Sequence, residues 1–208
     1  MKIQRNKILP FKEFPQIDPN PEIPTKKAGV IVAFYNQAGK EGIILTKRTS
    51  HLRSHPGQIS FPGGVYQLED SSLLQTALRE WEEEVGASKN DLEFLAPYKL
   101  FHTFTGYLIY PFLTEYKGNF QFRINPNEVE KIILLELNKF LTLPFYVAEN
   151  PRRKGHQIYY FDLGEELLWG VTCGIIVSLL YEFTDFQKKP KLVQLNLSSP
   201  PFFNPKVL

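Results

Sequence analysis

The sequence predicts an α/β fold in which a mixed β-sheet packs between helices. Three observations lead to it. Runs of β-branched and aromatic residues recur along the chain, an amphipathic helix ends at Gly86, and a longer apolar helix lies near the C-terminus. The 208 residues suffice for a single domain with its own core. The chain has 24 Lys and Arg against 22 Asp and Glu. This balance indicates no nucleic-acid or membrane partner by bulk charge.

Cysteine content and apolar patterning bear on the compartment. Cys173 is the single cysteine, which excludes an intrachain disulfide and a multi-thiolate zinc site and favours a reducing compartment. The first residues have charges and prolines where a signal peptide needs an apolar core. Residues 167–181 form the longest uncharged run, about 15 residues against the roughly 20 that a membrane span needs. We therefore predict a cytoplasmic protein.

The first half of the chain divides as follows. Residues 1–27 carry five prolines and predict an extended arm. "GVIVAFY" and "GIILTKR" flank a polar turn and predict two neighbouring strands. "LRSHPGQISFPGG" has many helix breakers and predicts a loop, a short strand and a second loop. Ser71 and Ser72 can cap a helix that runs to Gly86, with Asp70 favourable near its positive end.

The second half predicts a further set of strands and one last helix. "LEFLAPYKL", "YLIYPFLTEY" and "FQFRI" have strand composition, whereas "NPNEVEKIILLELNKFL" does not distinguish strand from helix. "IYYFDL" predicts the last strand, and residues 165–183 the last helix. We expect a catalytic domain over residues 28–186 and a Pro-rich extended tail over residues 187–208.

The helix before Gly86 concentrates negative charge. At about 100° per residue its apolar side chains occupy an arc of roughly 140°. Glu80, Glu83 and Glu84 fall together at one border of that arc, and Glu82 points elsewhere. Like charges at this spacing repel, and the C-terminal half of a helix disfavours anions. Arg79 can neutralise Glu83 but not all three carboxylates.

A hard divalent cation would supply the missing charge. Mg²⁺ and Mn²⁺ take oxygen ligands and need few protein carboxylates, since waters and substrate phosphates complete the octahedron. The competing interpretation is a solvated acidic helix face. The position beside the apolar arc and the preceding "FPGG" favour the metal site.

The stretch "REWEEEVGA" (79–87) resembles the second half of the Nudix box, matching it at every charged and glycine position. The first half departs from the general box. Counting back from Arg79 places Ser71 where a Glu is expected and Val65 where a Gly is expected. One inserted residue restores Gly64 and leaves Asp70 as the nearest acid.

That insertion resembles the coenzyme A pyrophosphatase group of Nudix hydrolases. The upstream stretch "ILTKRTSHLRSHPGQISFPGG" (44–64) resembles the group's signature, with Ile44 and Thr49 as mild departures. "NPNEV" (125–129) and "LLWGVTCGII" (167–176) also resemble its later segments. The resemblance implies a Nudix-type α/β/α sandwich with a central mixed sheet and hydrolysis of a nucleoside diphosphate derivative, with a Mg²⁺ or Mn²⁺ cofactor.

The resemblance and the helix geometry together suggest a set of site residues. Glu80 and Glu84 are the principal expected metal ligands, because they lie one turn apart, and Glu83 completes the cluster. Glu83 and Arg79 are both placed with the catalytic residues, and Arg79 is expected to orient Glu83. The binding residues are two arginines implied by the signature and two glycines that let the backbone approach a phosphate: Arg48, Arg53, Gly63 and Gly64.

The sequence leaves more than one candidate for the general base. The resemblance indicates Glu128 by motif position, while Glu115 and Glu130 stay open as alternatives. Cys173 is expected to serve packing. The "RRK" of residues 152–154 is expected to be a solvated loop, with a substrate 3′-phosphate as its alternative contact.

The leading hypothesis is a diphosphatase of coenzyme A or acyl-coenzyme A that yields 3′,5′-ADP and 4′-phosphopantetheine or its acyl form. Two alternatives remain: a Nudix pyrophosphatase for ADP-ribose or dinucleotides, and a non-catalytic Nudix-like domain that binds a nucleotide or protein. All three helix carboxylates are present, which favours catalysis. The expected partner is a small-molecule substrate, and a homodimer is an open alternative to a monomer.

Overall fold

The computed structural model describes residues 1–8, 26–103, 105–153 and 155–207. The first part of the fold comprises β1 (Lys26–Gln37), β2 (Lys40–Arg48), β3 (Ile59–Ser60), β4 (Gly63–Val65), α1 (Leu73–Val85), β5 (Leu92–Pro97), β6 (Phe101–His102) and β7 (Tyr107–Tyr116). The second part comprises β8 (Val129–Glu136), α2 (Lys139–Thr142), β9 (Phe145–Glu149), β10 (Gln157–Asp162), β11 (Leu167–Trp169), α3 (Gly170–Phe183) and β12 (Lys191–Leu192).

The main sheet is mixed and is centred on β1. Strand β1 pairs parallel with β7 and antiparallel with β2 and β4. Strand β2 also pairs with β3 and β8, and β7 also pairs with β5 and β6, all antiparallel. The antiparallel pair of β1 and β2 and the short strand β3 confirm the strand predictions for the first half of the chain.

A second sheet, which the sequence patterns did not predict, has the order β11, β10, β9, β12. Strands β9 and β10 form an antiparallel pair joined by residues 150–156. Strand β12 pairs parallel with β9. The tail predicted to be extended therefore contributes one short strand to a sheet.

Alternation along β1 fixes the layers. Val32 and Phe34 point into a core shared with α3 and the second sheet. Ile31 and Ala33 point to the other face, where they pack with the fully buried Trp81 of α1. Because successive strand residues face opposite sides, one strand contributes to both cores. The α/β sandwich with a mixed central sheet is thus confirmed.

Three predictions of secondary structure are wrong. "IYYFDL" forms β10 and is not the last strand, because β11 and β12 follow it. The helix expected from residue 165 begins at Gly170, because Leu167–Trp169 form β11 and pair with β10. "FQFRI" (120–124) is not a strand. Its segment instead covers the end of α1, where the amide of Arg123 donates to the carbonyl of Val85 at 3.0 Å. The backbone N–H groups of this segment therefore bond to free carbonyls at the end of the helix and not to a neighbouring strand. The ambiguous stretch contains strand β8 followed by the single turn α2.

The two ends of the described chain pack against the domain. Ile3 is buried in the larger core, and the Arg5 guanidinium bridges Glu41 and Glu115. Phe202 and Phe203 are buried against the second sheet. Of the predicted arm, residues 9–25 lie outside the described residues. Within the described chain, no helix has the length and apolar character needed to cross a membrane.

Candidate active site

Helix α1 has a defined beginning and end, which set the angular position of its glutamates. The Ser72 hydroxyl accepts from the Gln75 amide at 3.2 Å, so the predicted N-cap is confirmed. Gly86 ends the helix in the left-handed conformation, at φ 66°. Trp81 anchors the apolar face against the sheet. This orientation leaves Glu80 and Glu84 at the border of the buried face, beside β4.

Three carboxylates meet at this border. Ligand oxygens of Glu80, Glu84 and Glu128 all lie within 4.8 Å of one another. Glu128 comes from the loop before β8, where the side-chain Nδ2 of Asn125 lies 3.5 Å from its Oε1. The Thr49 amide also donates to the Glu128 carbonyl at 2.9 Å. A helix and a distant loop thus bring together a group whose oxygens could hold a metal ion.

The other two candidates for the base lie in ion pairs away from this group. Glu130 contacts Lys47 at 2.8 Å. Glu115 contacts Arg5 at 3.2 Å and Lys117 at 3.1 Å. Both carboxylates therefore have cationic partners of their own, and Glu128 is the one of the three that adjoins Glu80 and Glu84.

Glu84 is the most deeply buried member, with only 2% of its side chain exposed. Burial raises the pKa of its carboxyl to about 8, although the neighbouring Arg48 guanidinium acts in the opposite direction. The Gly63 amide donates to its Oε2 at 3.2 Å. Burial also raises the pKa of Glu80. A low-dielectric site with clustered carboxylates favours a bound cation, because the cation offsets both desolvation and mutual repulsion.

Arg79 lies at the centre of a second set of acids. Its guanidinium contacts Glu80 at 2.9 Å, Glu83 at 2.9 Å and Asp70 at 3.1 Å. The hydrogen bonds from Arg79 lower the pKa of Asp70 to about 2, assisted by the Thr76 hydroxyl at 2.8 Å. Asp70 thereby fixes the inserted loop to the helix. Its pairing with Arg79 was not predicted from the sequence, where Asp70 was assigned to the helix dipole and named as the acid nearest to the expected Glu of the box.

Glu83 is not part of the buried group. Its side chain is 55% exposed and pairs with Arg79 in the i,i+4 arrangement. Glu82 contacts Lys89 at 3.2 Å, away from the three clustered carboxylates, as the helix geometry predicts. The structure therefore brings Glu80 and Glu84 together with Glu128 and places Glu83 at the exposed edge, joined to them through Arg79.

The two glycines of "FPGG" lie against the acidic group. A Cβ at Gly64 would lie 2.3 Å from Oε1 of Glu80, a distance that no side chain tolerates. Gly63 supplies the backbone donor to Glu84 described above. Residue 64 must therefore lack a side chain for Glu80 to occupy its position, which gives this glycine a function beyond forming a turn.

The two signature arginines have different environments. Arg48 ends β2, and its Nη1 lies 3.4 Å from Oε1 of Glu84. Its Nε is buried and has no hydrogen-bond partner among the described residues. Arg53 is exposed in the loop that follows. Of the two, only Arg48 lines the cavity described next.

A cavity of about 450 Å³ opens beside Gly63 and Gly64, between the main sheet, the second sheet and the start of α3. Its lining is largely apolar, and among the described residues that line it no Asp or Glu occurs. The arginine and histidine residues that line it are Arg48, His55, His102, Arg152, Arg153 and His156. Of the residues that the sequence analysis singled out for substrate contact, Arg48, the two glycines and the arginines of the "RRK" stretch line this cavity.

The donor chemistry fits Mg²⁺ or Mn²⁺. All three clustered ligands are carboxylate oxygens, which hard cations prefer, and thiolate and imidazole donors are absent from the group. The unpartnered Nε of Arg48 and the cationic lining of the cavity suit phosphate oxygens. The acidic group is therefore complementary to a metal ion, and the cavity is complementary to an anionic substrate.

Comparison with known proteins agrees with this geometry. Residues 25–156 match the family model described as the NUDIX domain. This chain belongs to the Nudix family. A Nudix hydrolase NudL of Photorhabdus laumondii, described as uncharacterized, is 37% identical over 142 residues, or 67% of this chain and 76% of that protein. Another protein of that name, from an Enterobacter species, is 31% identical over 74% of this chain and 81% of its own length.

Solved structures show the same fold. A MutT/nudix family protein from Enterococcus faecalis aligns with 82% of this chain and 64% of its own chain, at a TM-score of 0.51 and 14% sequence identity. This likeness confirms the predicted Nudix fold. Membership in the family supports a Nudix hydrolase that acts on pyrophosphate bonds of small nucleotide-type substrates.

Proposed function

We propose that this Nudix hydrolase cleaves the diphosphate of coenzyme A or acyl-coenzyme A, yielding 3′,5′-ADP and 4′-phosphopantetheine or its acyl form. The observation that carries the proposal is the junction of two features: the Glu80, Glu84 and Glu128 group adjoins a cavity whose charged lining residues are all cationic. The first suits a metal ion and the second suits a substrate with several anionic groups.

The coenzyme A signature supports this substrate class through its position. Residues 44–64 form the end of β2, the following loop, β3 and the start of β4. Members of this stretch line the cavity, including Arg48, His55 and Gln58. A sequence feature shared with coenzyme A-type enzymes therefore coincides with the surface that a substrate would contact.

Each side chain receives a role. Glu80 and Glu84, with Glu83 at the exposed edge, are proposed to hold Mg²⁺ or Mn²⁺. When bound, the metal would neutralise phosphoryl oxygens and lower the pKa of a water molecule. Glu128 is proposed as the general base, because it adjoins the two buried ligands and comes from a separate loop. Arg79 orients Glu80 and Glu83 through contacts of 2.9 Å.

The remaining residues bind substrate. The Arg48 guanidinium faces the acidic group and the cavity together, so it can donate to phosphate oxygens beside the bond that is cleaved. The backbone at Gly63 and Gly64 lets the diphosphate approach the helix closely. Arg53 is proposed to meet substrate anions from the exposed loop. The enzyme is proposed to act in the cytoplasm.

The test is product analysis by mass spectrometry with coenzyme A, acetyl-coenzyme A, ADP-ribose and NADH, each with and without Mn²⁺. We expect metal-dependent release of 3′,5′-ADP from the coenzyme A compounds. Faster turnover of ADP-ribose or NADH would instead support the alternative Nudix pyrophosphatase. If no diphosphate is cleaved with Mn²⁺, or with Mg²⁺ in its place, a non-catalytic binding domain is the correct interpretation.

A further inference from the structure

The loop between β9 and β10 carries two arginines whose charges are not neutralised within the described chain. Arg152 and Arg153 both line the cavity. Neither forms an ion pair with a described carboxylate, whereas Arg5, Arg48 and Arg79 each do. Two guanidinium groups beside an acid-free cavity wall form a binding surface for an anion.

The loop has a defined conformation. The Asn150 side chain is 2% exposed, and its Oδ1 accepts from the Arg152 amide at 2.9 Å. The Asn150 amide donates to the His156 carbonyl at 2.8 Å, and the His156 amide donates to the Arg153 carbonyl at 3.1 Å. These bonds hold the backbone of both arginines at the cavity, which lowers the entropy cost of binding.

The C-terminal tail contacts the Arg152 side chain through Phe202. The Arg152 guanidinium lies 5.2 Å from the centre of the Phe202 ring, within cation–π range. Phe202 has φ 66°, an uncommon conformation for an aromatic residue. Its neighbours maintain that conformation. The Tyr160 hydroxyl donates to the Pro201 carbonyl at 2.9 Å, and Phe203 is fully buried.

The start of α3 adds to the positive potential. Gly170, Val171 and Thr172 line the cavity, and no side chain caps the first turn of this 14-residue helix. The amides of a helix N-terminus favour negative charge. Because Arg48 and the metal-binding acids belong to the main sheet and α1, the second sheet presents a separate anion-binding surface in the same cavity.

We propose that Arg152 and Arg153 bind a phosphate monoester that the substrate carries apart from the diphosphate to be cleaved, and that Phe202 is the positioning residue for Arg152. This inference rests on the proposed function, for which the group is the 3′-phosphate of coenzyme A. ADP-ribose and NADH have no such group. The arginine loop would therefore determine substrate specificity, while the Nudix helix performs the cleavage.

The first experiment compares kcat/KM for coenzyme A and 3′-dephospho-coenzyme A. In the wild type we expect coenzyme A to be preferred by about tenfold or more, the effect of one charge-assisted contact. Arg153→Ala and Arg152→Ala should each lower kcat/KM for coenzyme A and leave kcat/KM for the dephospho form unchanged, so that the ratio of the two values approaches one. Lys206→Ala, which removes an exposed positive charge from the tail outside the cavity lining, should leave the ratio unchanged.

Phe202→Leu tests the positioning contact in a double-mutant cycle. We expect it to lower the ratio when Arg152 is present and to have no further effect in Arg152→Ala. An equal effect in both backgrounds would contradict a role through Arg152. Melting temperatures of all variants, measured in parallel, identify any loss that comes from unfolding.

The affinities of 3′,5′-ADP and 5′-AMP, measured by calorimetry without metal, test the phosphate site independently of whether coenzyme A is cleaved. Tighter binding of 3′,5′-ADP that Arg153→Ala removes supports the phosphate site even if coenzyme A is not cleaved. Equal binding of both nucleotides, with equal turnover of coenzyme A and its dephospho form, would overturn the inference and leave the diphosphatase function standing.

Discussion

The Arg48 guanidinium and the Glu84 carboxylate lie 3.4 Å apart, across the boundary between the cavity and the acidic group. Arg48 reaches this point because it ends β2, and Glu84 because it lies on the last turn of α1. The pair places a positive and a negative group on either side of the site where a diphosphate and a metal ion would meet. Both members can therefore be tested separately.

Glu84→Gln should lower turnover by about 100-fold or more, because the buried carboxylate that is proposed to hold the metal is replaced by a neutral amide. The fold should remain, since the amide has nearly the same shape. Turnover and Mn²⁺ binding by electron paramagnetic resonance measure the two effects, and the melting temperature checks the fold. Glu82→Gln, on the same helix but paired with Lys89, is the matched control and should keep wild-type turnover. Near wild-type turnover in Glu84→Gln would contradict its assignment as a ligand.

Arg48→Lys should lower kcat/KM for coenzyme A by about tenfold, because an ammonium group keeps the charge but loses the forked donors. Arg53→Lys makes the same chemical change at the exposed arginine of the signature. Steady-state kinetics of both variants will show whether the two arginines share the binding function. An unchanged kcat/KM in Arg48→Lys would place the diphosphate elsewhere.

Gly64→Ala should inactivate the enzyme without unfolding it. The added methyl would lie 2.3 Å from Oε1 of Glu80, so the carboxylate must leave its place beside Glu84. Mn²⁺ affinity and turnover should fall together. Gly174→Ala in α3 is the stability control, since a Cβ there meets no atom within 4 Å, and it should raise stability by about 0.5 to 1 kcal/mol. Full activity in Gly64→Ala would show that Glu80 is free to move.

Asp70→Asn should lower the free energy of unfolding at pH 7 by on the order of 2 kcal/mol, with a smaller effect in acid. The pKa of Asp70 is lowered from 3.8 to about 2 by Arg79, so the charged form stabilises the fold. This contribution is complete above about pH 4 and disappears as the pH falls towards 2. Urea unfolding of both proteins between pH 7 and pH 2.5 should show the difference narrowing. A difference independent of pH would mean that the charge is not its cause.

Arg5→Ala should destabilise the fold by about 1 to 2 kcal/mol and leave kcat/KM unchanged. The change removes the arginine partner of Glu41 and leaves Glu115 with Lys117 alone; these two carboxylate side chains are 7% and 15% exposed. Glu41 and Arg48 lie seven residues apart on β2, roughly 23 Å along the strand, so the loss is remote from the site. Urea unfolding and steady-state kinetics measure the two parameters. Lys7→Ala, which removes a charge from the same segment, is the control, and a fall in kcat/KM would contradict this separation.

The sequence by itself determined the features that depend on local pattern. The neighbouring strands β1 and β2, the cap at Ser72, the end at Gly86 and the angular order of the α1 glutamates all follow from local sequence. The resemblance to the Nudix family was also evident, from two motifs at residues 44–64 and 79–87. Such features are encoded within a few residues, so tertiary structure only confirmed them.

Only the tertiary structure decided which distant residues share the site. Spacing placed Glu83 with Glu80 and Glu84, but packing of Arg79 keeps Glu83 at the exposed edge and a separate loop brings Glu128 into the group. The second sheet and the contact between Arg152 and Phe202 join segments about 50 residues apart, and the cavity brings together residues from Ala28 to Phe202. Contacts over such separations depend on how complete elements pack, because no local propensity records them.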